Sequence, residues 1–146
     1  MFAQILMAWD GSPVAESAFD VALDLARRYE AQLYAVSVAH APVHAETSAD
    51  RRESVDAARR YLEATFAQVR DRAVRTGIEV EHVLLEADEP VSALLDYAHE
   101  HGFDLLVVGH HRRTRPGRLL IRDLAGRTLD ASDIPVLVVC GPASPP

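Results

Sequence analysis

The sequence predicts an α/β fold: a five-stranded parallel sheet sandwiched by four helices. Three observations carry that expectation. Short apolar runs alternate with amphipathic stretches four times before a last apolar run closes the chain. That order is the one a parallel sheet with right-handed crossovers requires. The run Leu105 to Val108 is apolar without interruption, as expected of a strand buried on both faces. Helix-start and helix-stop residues also fall between the two kinds of segment.

The first strand candidate is Ile5 to Trp9, ending at Asp10-Gly11-Ser12-Pro13. Ser12 suits an N-cap and Pro13 suits the first helical position. Val14, Ala18, Val21, Ala22 and Leu25 then recur at helical spacing. Leu33 to Val38 reads as the second strand, on its β-branched and aromatic content. Residues 39–48 read as a loop. A long helix follows over 49–76, with Val55, Ala58, Leu62, Phe66, Val69 and Ala73 along one face and Gly77 as its terminal cap. Ile78 to Leu85 is the third strand. Pro90 opens a third helix, with Val91, Leu94, Leu95 and Ala98 inward, and Gly102 ends it. After the fourth strand, a fourth helix is expected over 117–131, with Leu120, Ile121 and Leu124 inward. Pro135 to Cys140 is the fifth strand. One domain is expected over 1–141, with residues 142–146 as a loose tail.

Composition narrows the function classes. The chain has 146 residues, 49% of them hydrophobic, which suits one domain with a full core. No apolar run reaches the roughly 20 residues of a membrane helix. The first ten residues lack a basic segment and meet a charge at Asp10, so no signal peptide is expected. One cysteine, Cys140, suits a reducing, cytoplasmic setting, and its apolar neighbours predict a buried thiol. The net charge of −7 argues against wholesale nucleic-acid binding.

The charge is uneven. Between Gly109 and Arg127 stand six Arg and one Asp. This basic stretch follows the fourth strand, at the strand ends where open α/β sheets hold their ligands. Arg112, Arg113, Arg115, Arg118 and Arg122 could pair with phosphate through planar forks, or could form a solvated loop balancing an acidic protein. Asp10 fits two roles, ligand contact or organiser of the turn and helix start. Trp9 could stack on a base or fill the core. His110 and His111 are adjacent, so their side chains diverge, and no metal site is expected. His99 and His101 near a helix C-terminus have an electrostatic explanation there. His40 and His44 lie in a loop and should face water.

At these residues the chain resembles the universal stress protein family, over essentially its whole length. The stretch Ile5-Leu6-Met7-Ala8-Trp9-Asp10-Gly11-Ser12 looks like the family's opening strand and turn. Leu105-Leu106-Val107-Val108-Gly109 looks like its fourth strand, and Pro135-Val136-Leu137-Val138-Val139 like its closing strand. The resemblance implies a Rossmann-like fold of the adenine nucleotide alpha hydrolase-like type, a homodimer and, in many members, bound ATP. Those members carry Gly-x2-Gly-x9-Gly-Ser/Thr after the fourth strand. Counted from Gly109, the second glycine position holds Arg112, the third Arg122 and the hydroxyl position Asp123. Gly109-His110-His111 instead resembles the branch without the ATP motif. Asp10 matches the family's carboxylate near the adenosine, Val38 its apolar residue lining the adenine slot, and Ala87 a common glycine. The nucleotide-side candidates are therefore Asp10, Val38, Gly109, His110, Arg112, Arg122 and Asp123.

No nucleophile is paired with a base and an orienting third group, and no Walker, Gly-x-Ser-x-Gly or Gly-x-Gly-x-x-Gly motif occurs. A non-enzymatic role is expected, with no required cofactor. Three readings stay open: a stress-response dimer acting through unidentified protein partners without ATP; an ATP or AMP switch in which arginines replace the glycine cradle; and RNA or polyanion binding by the same loop. The homodimer would form through Val136, Leu137, Val138 and Val139, because an apolar edge strand needs covering. A proline at Leu137 is expected to give monomer or aggregate.

Overall fold

A computed structural model describes residues 1–41, 47–110 and 126–141. The strands are β1 (Gln4–Ala8), β2 (Gln32–Ala39), β3 (Val80–Glu86), β4 (Leu105–His110) and β5 (Val136–Cys140). The helices are α1 (Pro13–Tyr29), α2 (Ser48–Arg75), α3 (Pro90–Glu100) and the described helical residues 126–131, here α4. All strand pairs are parallel, in the order β3-β2-β1-β4-β5. The chain winds outward from β1 to β3, then returns beside β1 as β4. The crevice between β1 and β4 is therefore the topological switch point, where such sheets hold ligands.

Two apolar layers flank the sheet. Ile5, Met7, Trp9, Leu33 and Ala35 face α1 and α2, meeting Phe19, Leu62, Phe66 and Val69. Leu6, Val36, Leu106 and Val108 face Leu94 and Ala98 of α3. Alternation along each strand supplies both sets. The carboxylate of Asp104 accepts from the Ala3 and Gln4 amides at 2.9 and 3.2 Å and so ties the start of β1 to that of β4.

The helix ends follow the residues expected to set them. Ser12 accepts from the Ala15 amide and caps α1. Gly77 has φ +77°. The Ile78 amide donates to the Ala73 carbonyl at 3.0 Å and the Gly77 amide to Val74, a pair of bonds that closes α2. This moves the start of β3: the Ile78 amide is committed to the cap, so the strand begins at Val80 rather than Ile78. Gly102, with φ +68°, ends α3 in the same way.

Three expectations need correction. The inward stripe of α1 is Val14, Ala15, Ala18, Phe19, Ala22, Leu23 and Ala26, while Val21 and Leu25 are only half-buried. The stripe is wider and rotated because α1 touches both the sheet and α2. In α2 only Leu62, Phe66, Val69 and Ala73 are buried. A helix of 28 residues spans about 42 Å, far more than the five-residue β1, so Val55 and Ala58 overhang the sheet and stay half-buried. Cys140 is exposed, not buried, because it ends an edge strand with no described strand beyond it. The first part of the expected fourth helix, Leu120, Ile121 and Leu124 included, the loop residues 42–46 and the tail 142–146 lie outside the described residues.

Candidate functional site

The carboxyl ends of β2, β1 and β4 lie side by side and bring Val38, Asp10, Gly109 and His110 to one edge of the sheet. Arg112, Arg113, Arg115, Arg118, Arg122, Asp123, His111 and His44 lie outside the described residues.

Trp9 is the fixed point of this edge. Its amide donates to the Val36 carbonyl at 2.8 Å. Its carbonyl accepts from the Ser37 hydroxyl at 2.7 Å. Its indole N–H donates to Thr65 Oγ1 of α2 at 3.2 Å. The ring sits edge-on to Phe19 and Phe66 and is 3% exposed, which makes it a core residue. The chain then turns. Asp10 Oδ1 accepts from the Ser12 amide at 2.9 Å, the bond of an Asx-turn. The carboxylate therefore organises the helix start, and its exposed face is still open to a ligand. Gly11 has φ +81°, and a Cβ there would meet Thr65 Oγ1 and the Tyr61 ring at 3.0 Å. No other residue fits this turn against α2 without displacement.

Gly109 has a structural reason of its own. A Cβ at Gly109 would lie 3.0 Å from the Val14 carbonyl oxygen and 3.1 Å from the Val14 methyls. The glycine lets the first turn of α1 sit directly on β4. His110, half-buried, ends the strand; its Nδ1 is buried without a hydrogen-bond partner among the described residues. Val38 is half-buried on the α3 side of β2, opposite Leu85 in register. Ala87 continues the β2–β3 ladder through its amide, which donates to the Ala39 carbonyl.

Beside these strand ends lies a cleft of about 390 Å³, between the ends of β2 and β3 and the first turns of α2. Guanidinium and carboxylate groups line it. Arg52 bonds both Asp56 and Glu86, Arg59 bonds Glu86, and Arg51 bonds Asp88. Hydrogen bonds from Arg52 hold the Glu86 and Asp56 carboxyls below the usual carboxylate range. Both acids are thus ionised partners of the arginines, not proton donors.

A larger groove, about 1180 Å³, lies at the opposite end of the sheet, between the last turns of α1 and α2 and the starts of β2 and β3. Its position is away from the switch point, so size does not make it the ligand site. His82 of β3 reaches between the two ends. Its Nε2 lies 2.9 Å from Ser37 Oγ, and its ring lies against Phe66, 4.3 Å between centroids. Burial, with a smaller contribution from Arg70, lowers its pKa to about 4.

Ser37, His82, Tyr61 and the Arg52 cluster were not singled out by the sequence. A signal existed for two of them. Period-two alternation puts Ser37 with Leu33 and Ala35, and His82 with Val80 and Leu84, at covered positions; a polar residue there must find a partner. Among the described residues no group of three or more His, Cys, Asp or Glu could hold a metal ion, and no helix is long and apolar enough to cross a membrane.

Known proteins show the same architecture. Among curated relatives, a universal stress protein of Methanocaldococcus jannaschii is 24% identical over 97% of this chain and 84% of its own length. The universal stress protein YxiE of Bacillus subtilis is 25% identical over 95% of this chain and 99% of its own. Among solved structures, a universal stress protein family member from Burkholderia pseudomallei is 29% identical, with TM-score 0.74, covering 94% of this chain and 96% of that one. A universal stress protein solved in complex with cAMP is 28% identical, with TM-score 0.72, over 94% and 97%. The sequence model of the Universal stress protein family matches residues 1–139. The chain belongs to the universal stress protein family.

Proposed function

We propose that this protein is a universal stress protein of the branch without the glycine-rich ATP motif, a homodimer acting in stress response through protein partners. The observation that carries this reading is the register after β4. Arg112 and Arg122 stand where the motif needs glycines, and Asp123 where it needs a hydroxyl. Side chains there obstruct the approach of backbone N–H groups to phosphate, and a carboxylate repels it. Gly109, the one glycine in register, is already required by its contact with Val14. Its presence is therefore no argument for a phosphate cradle. In this reading the role is binding rather than turnover.

A second reading has its own support. A relative 28% identical to this chain was solved with cAMP, and Asp10 and Val38 match by resemblance the family's positions on the adenosine side. A nucleotide carrying a single phosphate needs less of the missing cradle than ATP does. In that reading Arg112, Arg122 and the free face of Asp10 hold an AMP-type ligand.

Calorimetric titration of nucleotide-stripped protein with ATP and Mg²⁺, and separately with AMP and cAMP, tests both. No heat with any of the three supports action through partners alone. Binding of AMP or cAMP without ATP selects the second reading. Micromolar ATP binding, weakened by Arg122→Ala, would overturn the proposed branch. An affinity that falls steeply between low and moderate salt would point to a polyanion held by counterion release.

A further inference from the structure

Beneath the turn that carries Asp10, one chain of hydrogen bonds runs from the Trp9 carbonyl through Ser37 to His82. The Trp9 carbonyl, one residue before Asp10, is 2.7 Å from Ser37 Oγ. A carbonyl only accepts, so the one hydroxyl proton of Ser37 is committed to it. Ser37 Oγ must then accept from His82, whose Nε2 is 2.9 Å away. This assigns the tautomer: Nε2 carries the hydrogen and Nδ1 is the basic nitrogen. Ser37 is 1% exposed, so the chain has no bulk water to replace a lost partner.

The surroundings of His82 disfavour charge. The ring lies against Phe66, and the Arg70 guanidinium lies 5.2 Å from the centroid of that same Phe66 ring. From α2, Arg70 faces the imidazole. The groove His82 borders also carries Arg27 and Glu30 of α1, Glu79 and Glu81 at the start of β3, and Tyr34 of β2. Of these groups, Arg70 is the charge that bears on the ring, and it opposes protonation, second to burial itself. The ring borders this open groove, so a proton can reach it from solvent without unfolding of the chain.

We propose that His82 is a positioning residue and an acid-released latch for the strand-end turn: a proton taken from solvent onto Nδ1 puts a charge against Phe66, the ring moves toward the groove to hydrate it, and Ser37, no longer fixed from the β3 side, holds the Trp9 carbonyl less rigidly. Apart from the N–H bond formed with the solvent proton, no covalent bond changes. Trp9 and the Asp10–Ser12 turn respond first, because Ser37 is their link to β3. The latch belongs to the turn itself and needs no bound ligand, so it stands or falls apart from the nucleotide readings.

Trp9 is the one tryptophan of the chain, which makes it the reporter. Its fluorescence is followed in the whole protein from about pH 7.5 to about pH 3.5, with far-UV circular dichroism in parallel. The expected result is a fluorescence transition with midpoint at about pH 4 while helix content persists. In His82→Gln, whose amide can still donate to Ser37, that transition disappears. Arg70→Gln, an exposed change that leaves the chain of bonds intact, moves the midpoint upward by about half a unit. Fluorescence that only tracks loss of helix, no transition over the range, or a transition unaltered in both variants overturns the proposal.

Discussion

The two edges of the sheet are finished by different means. At the β3 edge α2 runs the whole length of the strand and beyond, with Phe66 and Val69 beneath it and a strap of ion pairs from Arg51, Arg52 and Arg59 to Glu86 and Asp88 above. Glu81 and Glu86 are exposed on the strand itself, and charge on an edge discourages further pairing. At the β5 edge the sequence is Val-Leu-Val-Val-Cys, with no charge. Leu137 is 36% exposed and Cys140 is open to solvent. Here the sheet is anchored by bare backbone contact: Gly109 and Gly141 both lie against Val14 of α1. The β3 edge is built to stop pairing, whereas the β5 edge has the composition of a strand that expects a neighbour.

The ladder of β5 gives the sharpest way to break this contrast. Leu106 donates to the Pro135 carbonyl, and the Gly141 amide donates to His110. Parallel pairing alternates, so the amides of Leu137 and Val139 point at β4, and those of Val136, Val138 and Cys140 point outward. Leu137→Pro removes a bond inside the fold and leaves an acceptor unpaired, at a cost of about 2–4 kcal/mol. Val138→Pro removes only an outward N–H, which an edge strand tolerates. Light scattering and urea titration together should show Leu137→Pro destabilised and prone to aggregate. Val138→Pro should be folded but monomeric. A stable dimer in Val138→Pro would place the interface elsewhere than on the β5 edge.

Gly109→Ala probes the anchor of the same half. The added methyl would meet the Val14 carbonyl oxygen at 3.0 Å, a backbone atom that cannot rotate away. Overpacking of this kind costs about 1–3 kcal/mol, read as a lower urea midpoint. Val14→Ala in the same molecule should restore little, because the carbonyl remains. Full rescue would show that the methyls, not the backbone, set the fit.

These contacts also mark how far the sequence can be read. The order of elements, the caps at Ser12, Gly77 and Gly102 and the buried β4 were legible because each is local: a period, a capping residue or an unbroken apolar run. The strand-end position of Asp10, Val38, Gly109 and His110 was legible for the same reason, once the sheet was known to be parallel. Contacts between distant segments were not. Nothing near Gly109 in the chain announces Val14, 95 positions away, and a phosphate cradle and a close helix contact both call for the same residue. Ser37 bonding His82, and Arg52 reaching Glu86, depend on the β2–β3 register and on the overhang of α2. The exposure of Cys140 depends on strand order, which its apolar neighbours do not reveal.

At the β3 edge the largest expected effect is pH-dependent. His82 has a folded pKa of about 4, against 6.5 for an ordinary imidazole. Between these values the unfolded chain binds the extra proton, so stability is complete above pH 6.5 and is lost as pH falls toward 4. The ring is only partly shielded from water, which reduces the effect to about 1–2 kcal/mol. Denaturation midpoints for wild type and His82→Gln should converge toward pH 4 and separate toward neutrality. Parallel curves across that range would assign acid sensitivity to other groups.

The smallest effect belongs to the strap. Arg52 touches two carboxylates at once, yet all three side chains are substantially exposed, so solvent screens the attraction and side-chain ordering offsets much of the rest. Arg52→Ala should lower the urea midpoint slightly at low salt. The difference between wild type and variant should shrink at about 1 M salt, where the screening length falls to about 3 Å. The same substitution is expected to leave the Trp9 acid transition in place, because the strap and the Ser37–His82 chain meet β3 at different residues. A large salt-independent loss would mean that the arginine stems, lying along α2 and the end of β3, hold that edge by contact rather than by charge.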